Sequence, residues 1–296
     1  MAEKLKETDW RILISRIAEG NCTPFIGAGA CYGHLPLGED IAKELAKEYE
    51  YPLQDNDNLS RVAQFVTVEC EDAVFVKEEI VRRWFKDRTP PDFEKPTEPL
   101  AVLADLPLKI YMTTNYDDFI FKALENQNKN PIPVLCRWNS LVKDNAPKAK
   151  VANPDPSNPL IFHFHGSTES PLSMVVTEDD YLDFMVNLSR NDQLLPHRIR
   201  RALTGTSLLF IGYSITDLNF RVLFRSLVGY LEKSIKKRHV SVQLAPVEKG
   251  TPQEQIERAQ NYLDRYFGEL KISIYWGTAA EFVSELKDRW EKSKNG

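Results

Sequence analysis

The sequence predicts an α/β protein built on a parallel sheet with helices on both faces. Three observations carry this. Strand-like and helix-like segments alternate through most of the 296 residues. Several strand segments are apolar without a period of two, as expected when both sheet faces are covered. Four strand segments also end in small or functional polar residues, as at the carboxyl edge of such a sheet.

The elements follow in order. Trp10, Leu13, Ile14 and Ile17 fall at helical spacing, and Gly20 with Asn21 ends that helix. TPFIGAG reads as a short strand running into glycines. Helical periodicity resumes at Pro36 and continues through two patterns between Leu59 and Lys86, before the proline-dense DRTPPDFEKPTEP loop. Residues 36–100 are thus expected to form a mostly helical insertion between the first two strands. LKIYMTT is a strand, and NYDDFIFKALENQ a helix capped by Asn115 or Asp117. PIPVLCRW is a strand, followed by the polar, proline-rich connection DNAPKAKVANPDPSNP. LIFHFHGS and the shorter SMVVT read as strands, then EDDYLDFMVNLSRN and QLLPHRIRRAL as helices. SLLFIGYS, HVSVQLAP and LKISIYWG complete the strands, with helices at DLNFRVLFRSLVGYLEKSI, PQEQIERAQNYLDRYFG and TAAEFVSELKDRWEKS. One domain over residues 1–296 is expected, since a chain of this size can bury one large core.

Composition narrows the function. With 42% hydrophobic and 27% charged residues the chain reads as globular. A formal net charge of −5 argues against direct nucleic-acid binding through phosphates. Cys22, Cys31, Cys70 and Cys136 include no CxxC, so no zinc ribbon is expected and reduced thiols in the cytoplasm are. The first twenty residues read as an amphipathic helix and not a signal peptide, and no apolar run is long enough to cross a membrane.

The four strand ends are Gly27–Ala30, Thr114–Asp118, His165–Ser167 and Gly212–Asp217. In a doubly wound sheet they converge on one crevice. The glycines of Gly27-Ala28-Gly29-Ala30 serve either a tight turn or a phosphate cradle at a helix start. The GxGxxG fingerprint is not met, because Gly33 comes one residue late, and no lysine follows to make a P-loop. Asn115 and Asp117 fit helix capping, which needs only one of them. His163 and His165 would need a third ligand to hold zinc, and none stands nearby in sequence. His163 is expected to pack within its strand and His165 to face the crevice, with an imidazole titrating near 6.5.

Together these residues resemble the sirtuin superfamily. Its GAG loop, T-x-N-x-D segment, HG dipeptide and late glycine–serine segment are matched, in order, by Gly27-Ala28-Gly29, Thr113-Thr114-Asn115-Tyr116-Asp117, His165-Gly166, and Gly205-Thr206-Ser207 with Gly212-Tyr213-Ser214. The chain departs from the protein deacylases: it has no paired CxxC, and Leu35-Pro36-Leu37-Gly38 keeps only the proline of their I-P-D-F-R stretch. These departures and GYSITDLNFR resemble the prokaryotic sirtuin-like branch of antiphage defence systems. The resemblance implies a Rossmann-like sheet and an NAD hydrolase releasing nicotinamide and ADP-ribose, with NAD as substrate and no metal. It implies His165 as base, Asn115 and Asp117 as catalytic partners, and Gly27, Ala28, Gly29, Ala30, Thr114, Gly166, Ser207, Gly212 and Ser214 as NAD contacts. It further implies a homo-oligomer of the stand-alone kind, with a HerA-type hexameric ATPase as partner. The alternatives are an NAD-dependent protein deacylase and a non-catalytic module that binds NAD or ADP-ribose.

Overall fold

The computed structural model describes residues 5–145, 153–190, 194–214, 237–245 and 250–294. It is a Rossmann-like three-layer α/β structure. Among the described residues seven parallel strands form one sheet: β1 (Cys22–Ile26), β2 (Ile110–Thr113), β3 (Ile132–Leu135), β4 (Leu160–His163), β5 (Ser207–Ile211), β6 (His239–Gln243) and β7 (Ile272–Trp276). Their order is β3-β4-β2-β1-β5-β6-β7. The chain fills one side of β1 with β2, β3 and β4, then crosses to the other side with β5. Connections leaving β1 and β5 therefore diverge, and the crevice between them is where doubly wound sheets hold ligands.

The helices are α1 (Glu7–Ala18), α2 (Gly38–Glu48), α3 (Leu59–Glu69), α4 (Phe75–Ile80), α5 (Pro99–Asp105), α6 (Phe119–Asn126), α7 (Ser140–Asn145), α8 (Glu178–Arg190), α9 (His197–Gly205), α10 (Gln253–Glu269) and α11 (Ala279–Lys294). Alternate strand residues serve opposite layers. Ile26, Tyr111, Ile161 and Ile211 pack with Trp10, Leu103, Phe119 and Phe282, from helices on one face. Phe25, Phe162 and Phe210 pack with Phe184, Ile199 and Phe267, from helices on the other. A third cluster joins α2, α3 and α4 through Leu45, Val62 and Ile80 to Met174 and Val176, beyond β4. This helical block therefore leans over the carboxyl edge of the sheet.

One expectation is corrected. SMVVT is not a strand: Val175 N–H bonds the His165 carbonyl at 3.0 Å, but the segment joins no ladder. The two helix patterns expected between Leu59 and Lys86 form as α3 and α4, separated by a turn at Cys70–Asp72, where Glu71 has φ +52, and the second runs on into a π turn at Val81–Phe85. The segment before β2 holds α5, whose residues Leu100–Ala104 are all buried, so no amphipathic period marks it. The helix expected at DLNFRVLFRSLVGYLEKSI falls outside the described residues.

Candidate functional site

The β1 and β5 ends interlock. Gly27 N–H donates to the Ile211 carbonyl at 2.9 Å and Gly29 N–H to the Gly212 carbonyl at 2.9 Å, while Ala30 N–H returns to the Gly27 carbonyl at 3.0 Å. Only glycine fits this approach. A Cβ on Gly27 would lie 2.7 Å from the Gly212 oxygen, and Gly212 has φ +80 with Ala30 N at 2.3 Å from its would-be Cβ. These glycines therefore bring two loops together. The amides of Gly27, Gly29 and Ala30 are thus committed within the loop pair.

Asn115 is seated on this junction. Its Nδ2 donates to the Gly27 carbonyl at 3.3 Å and approaches Cys31 Sγ at 3.5 Å. Its own N–H bonds Thr113 Oγ1 at 2.9 Å, and Thr113 Oγ1 bonds the Ile26 carbonyl at 3.0 Å. Orienting Nδ2 inward leaves Oδ1 buried without a hydrogen-bond partner among the described residues. His163 sits below, Nδ1 3.4 Å from the Asn115 carbonyl, and burial lowers it to about 4. It thus serves packing and the loop, as its place in the strand predicts.

Asp117 accepts Phe119 N–H at 2.9 Å, so it supplies the capping bond of α6 although Asp118 stands at the cap position. It is buried against Cys31 Sγ, and burial raises its carboxyl to about 6. The Cys31 thiol is pushed up by burial and then by Asp117. Sequence reasoning missed Cys31, since a single cysteine in a loop carries no pattern.

His165 lies just past β4, 6% exposed, with Nε2 buried and without a hydrogen-bond partner among the described residues. Its neighbours Tyr181 and Phe184 exclude water, and burial lowers the imidazole to about 3. The expected titration near 6.5 is corrected: the ring is neutral at pH 7. Gly166 stands behind it with φ +82, where a Cβ would meet the Ser173 carbonyl at 2.2 Å.

One cavity of about 1190 Å³ covers this edge, ample for a dinucleotide by the scale of small-molecule pockets. Ala28, Gly29, Thr114, Asn115, Asp117, His165, Gly212 and Ser214 line it. Gly27, Ala30 and Gly166 lie just behind the wall. Ser207 is corrected: it opens β5, pairs with Cys22, and is buried at the opposite edge of the sheet. Gly205-Thr206-Ser207 matches the pattern in letters, but only Gly212-Tyr213-Ser214 reaches the crevice. The ends of β6 and β7, at Val242–Ala245 and Gly277–Ala279, also line the cavity. The sheet-edge argument that found the other four strand ends applies equally to them. Tyr213 was missed as a side chain; its hydroxyl bonds the Ile26 carbonyl at 2.8 Å and Thr114 Oγ1 at 2.9 Å.

Among the described residues no cluster of three or more His, Cys, Asp or Glu could hold a metal ion. No helix among them is long and apolar enough to cross a membrane.

A family model for the SIR2-like domain matches residues 109–267, just over half of the chain. The chain belongs to the SIR2-like family. The matched segment runs from β2 into the last turn of α10 and so carries Asn115, Asp117, His165 and Gly212. The chain is also similar to three proteins named NAD(+) hydrolase ThsA. That of Enterococcus faecium is 27% identical over 71% of this chain and 41% of its own length. That of Acinetobacter baumannii is 23% identical over 79% and 45%, and that of Bacillus cereus 27% over 75% and 43%. The chain thus spans less than half the length of these relatives. Gly27–Ala30 precedes the SIR2-like match, yet the structure locks it against Gly212 within the same site.

Proposed function

We propose that this SIR2-like chain is an NAD hydrolase that cleaves the nicotinamide–ribose bond, releasing nicotinamide and ADP-ribose in antiphage defence. The observation that carries the reading is that Asn115 Oδ1 and His165 Nε2 are buried, have no hydrogen-bond partner among the described residues, and belong to residues lining one dinucleotide-sized cavity. Buried polar atoms are nearly always hydrogen-bonded, so a pair left open in a cleft marks groups awaiting a ligand.

The chemistry asks little of an acid. Nicotinamide departs as a neutral amide from a pyridinium, taking the bonding electrons, and leaves an oxocarbenium-like ribose. Water adds at that carbon and loses one proton. Asn115 Oδ1 accepts from the water or a ribose hydroxyl. Neutral His165, as the Nδ1–H tautomer, accepts from the other, takes up the proton that the adding water loses, and gives it to solvent once the products leave and the cavity refills, since its lowered basicity does not retain it. Asp117 holds the Asn115 loop and the start of α6. Ala28, Thr114, Gly212 and Ser214 border the remainder of the dinucleotide. Control by homo-oligomerisation and by a HerA-type ATPase belongs to the same proposal, on the resemblance alone.

The test is to incubate the protein with NAD and resolve products with and without an acetylated peptide. Peptide-independent nicotinamide release supports the hydrolase. Release only with peptide supports a deacylase, and tight NAD binding without turnover supports a sensor.

A further inference from the structure

His165 owes its setting to one face of α8. Tyr181 meets the imidazole edge-on, with ring centroids 5.3 Å apart at 86°, and Phe184 does so at 5.1 Å and 82°. The two aromatics are three residues apart and share a helix face. Both contacts lie in the favourable range for edge-to-face aromatic pairs. Phe184 is fully buried core, whereas Tyr181 is half-buried and lines the cavity. We propose that Tyr181 is a positioning residue for His165: its ring sets the imidazole plane and keeps water from the ring until substrate arrives. This rests on the reading that His165 is the working imidazole.

A circuit of contacts holds Tyr181 in register with His165. Its hydroxyl is hydrogen-bonded to Tyr116. The Tyr116 hydroxyl donates to the Val175 carbonyl at 2.6 Å, and Val175 N–H donates to the His165 carbonyl at 3.0 Å. From the other side, α8 is anchored by Asp180, which accepts Val176 and Thr177 N–H at 3.0 Å each and pairs with Lys77 at 2.8 Å. These contacts hold the ring against the imidazole. The titratable groups on the segments packed around His165 are Glu178, Asp179, Asp180, Tyr181, Asp183 and Arg190 on α8 and Tyr116, Asp117 and Asp118 after β2; burial alone sets the direction in which the imidazole is shifted. Removing the Tyr181 ring opens the cavity-side wall to water, and hydration returns an imidazole toward its ordinary value.

The test follows the imidazole by long-range ¹H–¹⁵N NMR of the full chain from pH 5 to 8, with His165 assigned by its loss in His165→Gln. In the wild type His165 shows no titration in this range. Tyr181→Ala, or Tyr181→Leu if alanine fails to fold, brings its midpoint above about 5, toward the free-imidazole value. Tyr181→Phe keeps the ring and leaves His165 flat. In turnover, Tyr181→Ala lowers kcat about tenfold or more with KM for NAD within about threefold, and Tyr181→Phe, which keeps the ring but loses the hydroxyl's bond to Tyr116, falls between alanine and the wild type. A flat His165 in folded Tyr181→Ala, or a Tyr181→Phe loss equal to that of alanine, overturns the proposal. Absence of NAD cleavage by the wild type would remove the hydrolase reading while the NMR result still decides this one.

Discussion

Gly212→Ala tests the junction on which the whole site is built. Gly212 sits at φ +80, where a Cβ costs roughly 1–2 kcal/mol by backbone sterics. The added carbon would also stand 2.3 Å from Ala30 N and 2.5 Å from the Gly27 oxygen, so the β1 and β5 loops must part. Overpacking of that kind costs about 1–3 kcal/mol, giving about 2–5 kcal/mol in all. Gly33→Ala separates the two contributions, since Gly33 has φ +87 but nothing within 4 Å of its would-be Cβ. It should lose only the conformational part. Urea unfolding of both variants is the assay, read as the difference between them. A Gly212→Ala loss no larger than that of Gly33→Ala would refute the claim that the loops interlock as described.

Other expectations concern charge. Lys77 and Asp180 form an ion pair with side chains only 7% and 13% exposed, so Lys77→Ala should cost about 3–5 kcal/mol by stranding a buried carboxylate, measured by thermal or urea unfolding. Burial lowers His163, His165 and His239 from 6.5 to about 4, 3 and 4. The unfolded chain takes up these protons below pH 6.5 and the folded protein does not, so stability falls as pH drops from 6.5 toward 4. Three protons give a slope of up to about 4 kcal/mol per pH unit, and His239→Gln should remove about a third of it. Asp117, raised to about 6, acts oppositely: its folded form holds a proton that the unfolded chain releases, so its contribution is lost as pH rises from 3.8 through 6. Asp117→Asn should abolish that component in unfolding measured across pH 4–7, while the amide oxygen keeps the Phe119 cap.

What was legible in the sequence was what local pattern and topology decide. Asn115, His165 and Gly212 were found because small and polar residues ending apolar strands must share one edge of a parallel sheet. Ser207 shows the limit of matching letters, since a glycine–threonine–serine string at a strand's start lies a full strand length from the site. The helix α5 was hidden because every residue from Leu100 to Ala104 is buried, which erases the polar face that marks a helix. The basicity of His165 was equally hidden. It depends on Tyr181 and Phe184, sixteen and nineteen positions away and brought near only by the return of α8. The commitment of the Gly27 and Gly29 amides depends on Ile211 and Gly212, almost two hundred residues downstream.

The central claim is that Asn115 and His165, at this sheet edge, cleave NAD. Nicotinamide release should be followed for the wild type beside Asn115→Ala, His165→Ala and Ser207→Ala, with circular dichroism to confirm that each is folded. The account predicts at least about a hundredfold loss for the first two, in the range that a positioned base contributes, and a change within about twofold for Ser207→Ala. Full activity in folded Asn115→Ala and His165→Ala, or a loss centred on Ser207, would contradict it.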